Sequence, residues 1–358
     1  MLFPLPSRGP AKPDAKDSRG SGLDMHIRMP LGSELGGLAE LNTRWHVVLG
    51  GGPLGLAVVR RLVDQGRPVR LATRSTRPSI PGVETVNLDA SDAGKLQKVC
   101  RDASILYFCA SPPYGSPELL VPLVQGVTQG VTRAGCRLVY ADNLYAYGRV
   151  SGPVREGLPH RPHGPKSRAR AAAVDHVLEA HRLERIGADV VCGSDFYGPG
   201  VTFSLLGDRV LRPAIDGGTI NLLGDVDVPH SYTYIEDFAR AIVVVAGEAG
   251  SFGQIWHVPE AETLTTRGMV ERIITATGGR ASCRIAPKWL EAIMGVFSRP
   301  IRELRETAYQ RNSPWIVGAD RLLERFGFEP TPVDDAIAAT VAWYRSQASG
   351  KALVERHG

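Results

Sequence analysis

Between His46 and Gly55 the chain reads HVVLGGGPLG. Val47, Val48 and Leu49 form an apolar, strand-like run that empties into Gly50, Gly52 and Gly55, and Leu54, Val58 and Leu62 then recur at helical spacing as far as Gly66. Each glycine has its own physical task in such a turn. Gly50 permits the tight bend, Gly52 lets backbone approach a pyrophosphate, and Gly55 lets the helix lie close on the sheet, while Pro53 and Leu54 open a helix whose N-terminus faces the phosphates. In a chain with 40 glycines the spacing alone is a weak signal. The strand before it and the helix after it turn it into an expectation of dinucleotide binding.

The next chemistry-bearing residues decide which dinucleotide. Where NAD is bound, an acidic residue about twenty positions further on grips the ribose 2′-hydroxyl. Here the chain reads LATRST, and Thr73, Arg74, Ser75 and Arg77 include no carboxylate. Such groups partner a 2′-phosphate, so NADP is expected; the alternative is a solvated Arg74, or one stacked on adenine while NAD binds. Asp89 stands where it accepts from the adenine amino group or, alternatively, caps the next helix. Ala110 and Ser111, in CASPP, are expected at the same cofactor.

Positioning these groups requires alternating strands and helices. Strand patterns fall at 46–50, 69–73, 83–87, 104–110, 137–141 and 188–192, and helical patterns at about 54–65, 92–101, 117–134 and 168–186. Alternation of this kind predicts an α/β fold, a Rossmann-type doubly wound parallel sheet. After about residue 200 the rhythm breaks into shorter pieces. Residues 44–200, with about 231–260, are expected to form the dinucleotide-binding domain, and 201–230 with 261–345 a smaller C-terminal substrate-binding region over the carboxyl ends of the strands. The proline-broken stretch 1–43 reads as a disordered tail and not a secretory signal, and 346–358 as a second tail. Met25 and Met29 offer alternative starts.

Composition narrows the function classes. With 358 residues, 43% of them hydrophobic, the chain can bury a large core. The net charge of +5 comes from scattered Lys and Arg, which favours anionic small molecules and not nucleic acid. Five separated cysteines indicate neither a disulfide framework nor a metal site and fit a reducing cytoplasm. No apolar run reaches the roughly eighteen residues of a membrane span.

Over roughly 45–345 the chain resembles the extended short-chain dehydrogenase/reductase family, in its epimerase/dehydratase branch. The likeness is carried by GGGPLG, CASPP, DNLYAYG at 142–148, SDFYGPG at 194–200 and HSYTYIEDFARAI at 230–242. It implies a Ser or Thr after the fifth strand and a Tyr-x-x-x-Lys on the next helix, which exchange a proton with the substrate oxygen and hold the nicotinamide ribose. This chain departs at all three places. Asn143 takes the Ser position, and Lys166 and Arg170 fall where Tyr and Lys belong.

The replacements leave several roles open. Asn143 either donates its amide to a carbonyl oxygen or shapes a turn. Tyr145 occupies an acid position of the dehydratases, and either supplies the lost phenol or packs as an aromatic; Tyr147 is expected to support the loop. Lys166 is an acid only where its pKa is depressed, and an exposed lysine is the preferred alternative. Arg170 keeps the positive charge without shuttling protons. Cations at 166, 168 and 170 oppose a helix dipole, and either an anion beside them or a solvated turn accounts for that.

His230 stands where nucleotide-sugar members resemble one another in having a diphosphate-binding arginine, which argues for a smaller carbonyl, alcohol or enone substrate. Trp256, His257 and segment 286–300 are candidate lining, with core packing the preferred alternative for the histidines. The helices near 117–134 and 168–186 resemble those that pair members into a homodimer. The overall expectation is an NADP-dependent reductase, dehydrogenase or epimerase-like enzyme; the alternatives are a redox-silent cofactor sensor or scaffold, and a non-redox isomerase.

Overall fold

The computed structural model describes residues 44–74, 79–248, 250, 252–285 and 306–355, with side chains to residue 347. The expected tail at 1–43, Ser75, Arg77 and segment 286–300 lie outside the described residues. The first six strands are β1 (Trp45–Leu49), β2 (Val69–Thr73), β3 (Val83–Asn87), β4 (Ala103–Phe108), β5 (Arg137–Asn143) and β6 (Ala188–Gly193). They are joined by α1 (Pro53–Asp64), α2 (Ala93–Cys100), α3 (Leu120–Ala134) and α4 (Pro165–Arg182). Shorter pieces follow: β7 (Asp195–Tyr197), α5 (Asp208–Asp216), β8 (Thr219–Leu222), β9 (Pro229–His230), β10 (Tyr232–Tyr234), α6 (Ile235–Gly247) and β11 (Ile255–His257). Beyond them lie β12 (Leu264–Thr265), α7 (Thr266–Thr277), β13 (Ser282–Ile285), α8 (Ala308–Asn312), α9 (Asp320–Phe326) and α10 (Val333–Glu355).

Seven strands form one sheet of order β11-β6-β5-β4-β1-β2-β3, parallel throughout. Its centre is buried on both faces, which is why β4 reads ASILYF without a polar alternation and is buried at all six positions. Successive side chains point to opposite faces. Val47 and Leu49 therefore join the core beneath α2, α3 and α4, while Val48 joins Val58 and Leu62 of α1 and Phe238 and Ile242 of α6 on the other side. A third core gathers Val210, Ile220, Met269, Ile273 and Ile337 from α5, β8, α7 and α10. The strand order reverses between β1 and its neighbours β2 and β4, and the loops leaving β1 and β4 diverge there into a crevice.

Several boundaries differ from the sequence pattern for local reasons. β5 runs on to Asn143, which pairs with Gly193, so Asn143 ends a strand. α4 starts at Pro165 instead of 168, because Gly164 is an extended N-cap, Pro165 fits the first helical position and the Ser167 hydroxyl accepts from the Gly164 amide at 2.9 Å. It stops at Arg182, short of 186, where Glu184 turns out at φ 55°. α10 continues to Glu355, past the end of the apolar pattern.

Candidate active site

At the crevice, the three glycines do three different things. Gly50 adopts φ +110°, and a Cβ there would lie 2.7 Å from the Ala110 amide nitrogen. A Cβ on Gly55 would fall 1.8 Å from the Gly50 carbonyl oxygen, so α1 can approach β1 this closely only without a side chain. A Cβ on Gly52 would meet nothing within 4 Å. That open side faces a cleft of about 560 Å³ lined by Gly50, Gly52, Arg74, Asp89, Ala110 and Ser111. Gly52 is also the N-cap of α1, with Pro53 at N1, no side-chain cap and no acid in the first turn. The amides of Leu54 and Gly55 thus begin the helix without a capping side chain, an arrangement that suits a phosphate. The residues present fit a dinucleotide.

Arg74 follows directly on β2 with an exposed side chain, and its carbonyl accepts from Asn87 Nδ2 at 3.3 Å. Asp89 is not a helix cap. That role belongs to Asp92, whose carboxylate accepts from the Lys95 amide at 3.0 Å. Asp89 Oδ1 instead takes the Ser91 amide at 3.1 Å and hydroxyl at 2.9 Å, and these bonds, with the Arg74 charge as a smaller contribution, hold its pKa below the ordinary range.

The replacement residues converge around the first turns of α4, which Arg170 ties to the cleft-lining Ser111. Asn143 Oδ1 accepts from the Tyr145 amide at 3.0 Å, so the side-chain oxygen shapes the turn and its NH₂ is left as the donor. The Tyr145 phenol is hydrogen-bonded to that of Tyr114, and burial, then the Asp195 charge, lifts it well above its ordinary range. Tyr114 also bonds Thr307. Lys166 is not an exposed lysine. It is 8% exposed, and its Nζ sits 3.4 Å from the centre of the Tyr114 ring, in cation–π contact.

Arg170 Nη1 is bonded to Asp142 Oδ1 and to the Tyr140 hydroxyl at 3.4 Å, and Nη2 to Ser111 Oγ at 2.9 Å. Ser111 is thereby tied to α4. Asp142 Oδ2 is buried with no partner among the described residues. The anion that offsets the cations at the start of α4 is the chain's own Glu306, whose Oε1 accepts from the Ser167 amide at 3.0 Å.

Tyr114, Asp195, Thr307 and Arg311 went unassigned in the sequence. Tyr114 stands one residue beyond CASPP, on a loop at the carboxyl edge of the sheet where ligands bind, and that position was a usable signal. Thr307 and Arg311 arrive from 193 and 197 residues beyond Tyr114 in sequence, and no local pattern announces them.

Three other residues stay out of the cleft. His230 is 1% exposed, with Nδ1 3.1 Å from the Gln310 carbonyl and Nε2 3.0 Å from Asp195 Oδ2. Trp256 is buried and does not line this cleft; it packs on Phe326 at 5.2 Å and bonds Asp189 at 3.3 Å. His257 is fully buried between the Gly318 carbonyl, 3.0 Å from Nδ1, and the Tyr147 hydroxyl, 2.9 Å from Nε2. The carbonyl can only accept, so Nδ1 carries the hydrogen and Nε2 accepts from Tyr147, which anchors the loop.

Burial holds the His257 pKa down to about 4. The unfolded chain takes up this proton near 6.5, and the folded protein refuses it until about 4. Stability is therefore fully present above the upper value and declines as pH falls through the window, by about 3 kcal/mol from this group. Urea melts across that range are expected to show the decline, and His257→Gln, which cannot titrate, to flatten it; superimposable profiles would contradict a burial-lowered His257 pKa.

A family model described as NAD dependent epimerase/dehydratase family matches residues 46–258. Among curated proteins, a dTDP-glucose 4,6-dehydratase of Streptomyces griseus is 25% identical over 228 residues, covering 63% of this chain and 64% of that protein. A dTDP-glucose 4,6-dehydratase of Actinoplanes sp. is 25% identical over 215 residues, covering 60% and 61%. The chain thus matches less than two thirds of the length of these relatives. Among solved structures, dTDP-glucose 4,6-dehydratase DesIV from Streptomyces venezuelae, with NAD bound, superposes at a TM-score of 0.68 with 22% identity, over 84% of this chain and 97% of that one. UDP-glucose 4-epimerase from Thermus thermophilus, in complex with NAD, gives 0.68 with 19% identity over 84% and 99%. At these identities the structures show a shared fold.

Proposed function

Because the chain belongs to the NAD dependent epimerase/dehydratase family, we propose that it is an NADP-dependent oxidoreductase or epimerase-like enzyme acting on a small carbonyl or alcohol substrate through a non-standard set of polar groups. The observation that carries this is the open glycine cradle at the start of α1, continuous with a cleft that has Arg74 on its wall. Backbone amides of the cradle hold the pyrophosphate, Arg74 the 2′-phosphate, and Asp89 the adenine amino group. When bound, the dinucleotide supplies or accepts a hydride at the substrate carbon. The Asn143 amide donates to the substrate oxygen, and the proton moves through the Tyr145–Tyr114 phenol pair beside Lys166.

The substrate carries no nucleoside diphosphate. His230, at the position of the diphosphate arginine, is buried and meets acceptors at both ring nitrogens, so it presents no bidentate fork to a phosphate. Leu144 and Tyr145 likewise stand in place of an Asp-Glu pair. The protein acts as a homodimer paired through α3 and α4, which pack side by side.

Reversal of the charge at Arg74 tests the cofactor assignment. Arg74→Glu is expected to weaken NADP binding by about tenfold or more while changing NAD binding little, since about 1.4 kcal/mol accompanies each factor of ten. Equal losses for both dinucleotides, or none, would contradict a 2′-phosphate contact. A second reading, cofactor binding without turnover, is favoured by the commitment of Arg170, at the position of the family's lysine, to Asp142 and Ser111. It requires that bound NADPH is never oxidised by any carbonyl offered.

A further inference from the structure

We infer that the proton-transfer pair missing from α4 is rebuilt across two elements, Tyr114 from the loop after β4 giving and taking the substrate proton and Lys166 from the first turn of α4 holding its phenolate. This rests on the enzymatic reading above and specifies its chemistry.

Three observations carry it. First, the Lys166 ammonium lies 3.4 Å from the centre of the Tyr114 ring and is almost wholly out of water. A cation on a ring face is attracted to the neutral phenol, and more strongly to the phenolate, so the contact favours loss of the proton. Secondly, the Tyr114 hydroxyl is bonded to both Tyr145 and Thr307, which gives it a chain of hydroxyls through which a proton can be replaced. Thirdly, Tyr114 directly follows Ser111, Pro112 and Pro113, which line the cofactor cleft, so it stands on the same loop, one residue beyond that lining.

The competing groups fit less well. Arg170 holds the lysine position but is committed to Asp142 and Ser111, and a guanidinium does not shuttle protons. Burial lifts the Tyr145 phenol well above the ordinary range. Burial raises every one of the ten tyrosines, and Tyr114 is moved least. The charges facing it are Lys166 from α4, Asp195 from β7, which raises its pKa, and Arg311 from α8, which lowers it.

In the carbonyl direction, the substrate carbon gains the hydride from the dinucleotide and the substrate oxygen gains the Tyr114 proton. The O–H bond of Tyr114 breaks, its electron pair stays on the phenolate under Lys166, and Tyr145 returns a proton drawn from solvent. The alcohol direction runs the same steps backwards.

Ultraviolet difference titration of the full-length protein, without substrate, reads the pair directly. The first phenol to ionise in the wild type is expected to vanish in Tyr114→Phe, to persist in Tyr145→Phe and in Lys166→Arg, and to titrate about one pH unit higher in Lys166→Met. Once a turned-over carbonyl is in hand, Tyr114→Phe is expected to lower kcat about 100-fold with KM nearly unchanged. Survival of the first ionisation in Tyr114→Phe, or an unmoved midpoint in Lys166→Met, overturns the pair. Should Tyr114→Phe fail to fold, the Lys166 variants decide alone. Failure of the enzymatic reading shows itself separately, as lack of NADP binding or turnover by a wild type whose phenol still titrates as described.

Discussion

Gly55→Val is expected to weaken NADP binding severely and to lower the melting temperature, whereas Gly52→Val weakens binding as much and leaves the melting temperature in place. The two glycines lie three residues apart in one turn, yet their surroundings are opposite. A side chain at 55 would enter the Gly50 carbonyl, 1.8 Å away, and a main-chain oxygen anchored at the end of β1 cannot step aside as a flexible side chain would. α1 must then lift from the sheet, a strain of about 1–3 kcal/mol or more. At 52 a side chain would have at least 4 Å of clear space, so folding is undisturbed, but that space is where a pyrophosphate lies against the backbone. Both losses of affinity should be on the order of 100-fold, roughly 2.7 kcal/mol. Thermal melts paired with fluorescence titration of NADPH separate the cases. Full binding by Gly52→Val would mean that the cleft does not carry phosphate there.

The second large effect belongs to the Asp142–Arg170 pair. The Asp142 side chain is 0% exposed and that of Arg170 18%, so either charge left alone sits in a medium that solvates it poorly. Arg170→Met is expected to cost about 3–5 kcal/mol, because it strips the carboxylate of its cation when its other oxygen already has no partner among the described residues. Asp142→Leu should cost a comparable amount. The double variant is expected to recover most of the loss, since an apolar pair of similar volume avoids the desolvation penalty altogether. Urea melts of the four proteins form the cycle. Additive losses would show that the pair is not coupled.

How far the chain could be read in advance follows from the range of its interactions. The Gly50–Gly55 turn was legible because each requirement is local: a strand, a positive φ, a close approach and a helix all fall within about ten residues. The doubly wound sheet was legible for the same reason, as β4 and the centre of β5 are apolar runs and the helix between them keeps a helical period. The proposed proton-transfer site was not. Asn143, Tyr145 and Lys166 were named as candidates by position, but burial of Lys166 depends on a ring delivered by the loop after β4, and the Tyr114 partners Tyr145, Lys166 and Thr307 are all remote from it in sequence. Glu306 at the start of α4 is equally remote, which is why a run of cations there read as calling for a ligand or solvent when the chain supplies its own carboxylate. Asp89 lines the cleft, and the capping role weighed against that placement falls to Asp92, three residues on. Short strands such as β9 and β12, two residues each, carry too little pattern to be seen at all.

The central claim is that the cradle at the start of α1 holds a nicotinamide dinucleotide with Arg74 on its added phosphate. Calorimetric titration of the purified protein, freed of any carried-over nucleotide, tests it most directly. Saturable binding of one NADP per chain, tighter than NAD and loosened by Arg74→Glu, is the predicted result; no heat of binding with either dinucleotide would contradict it.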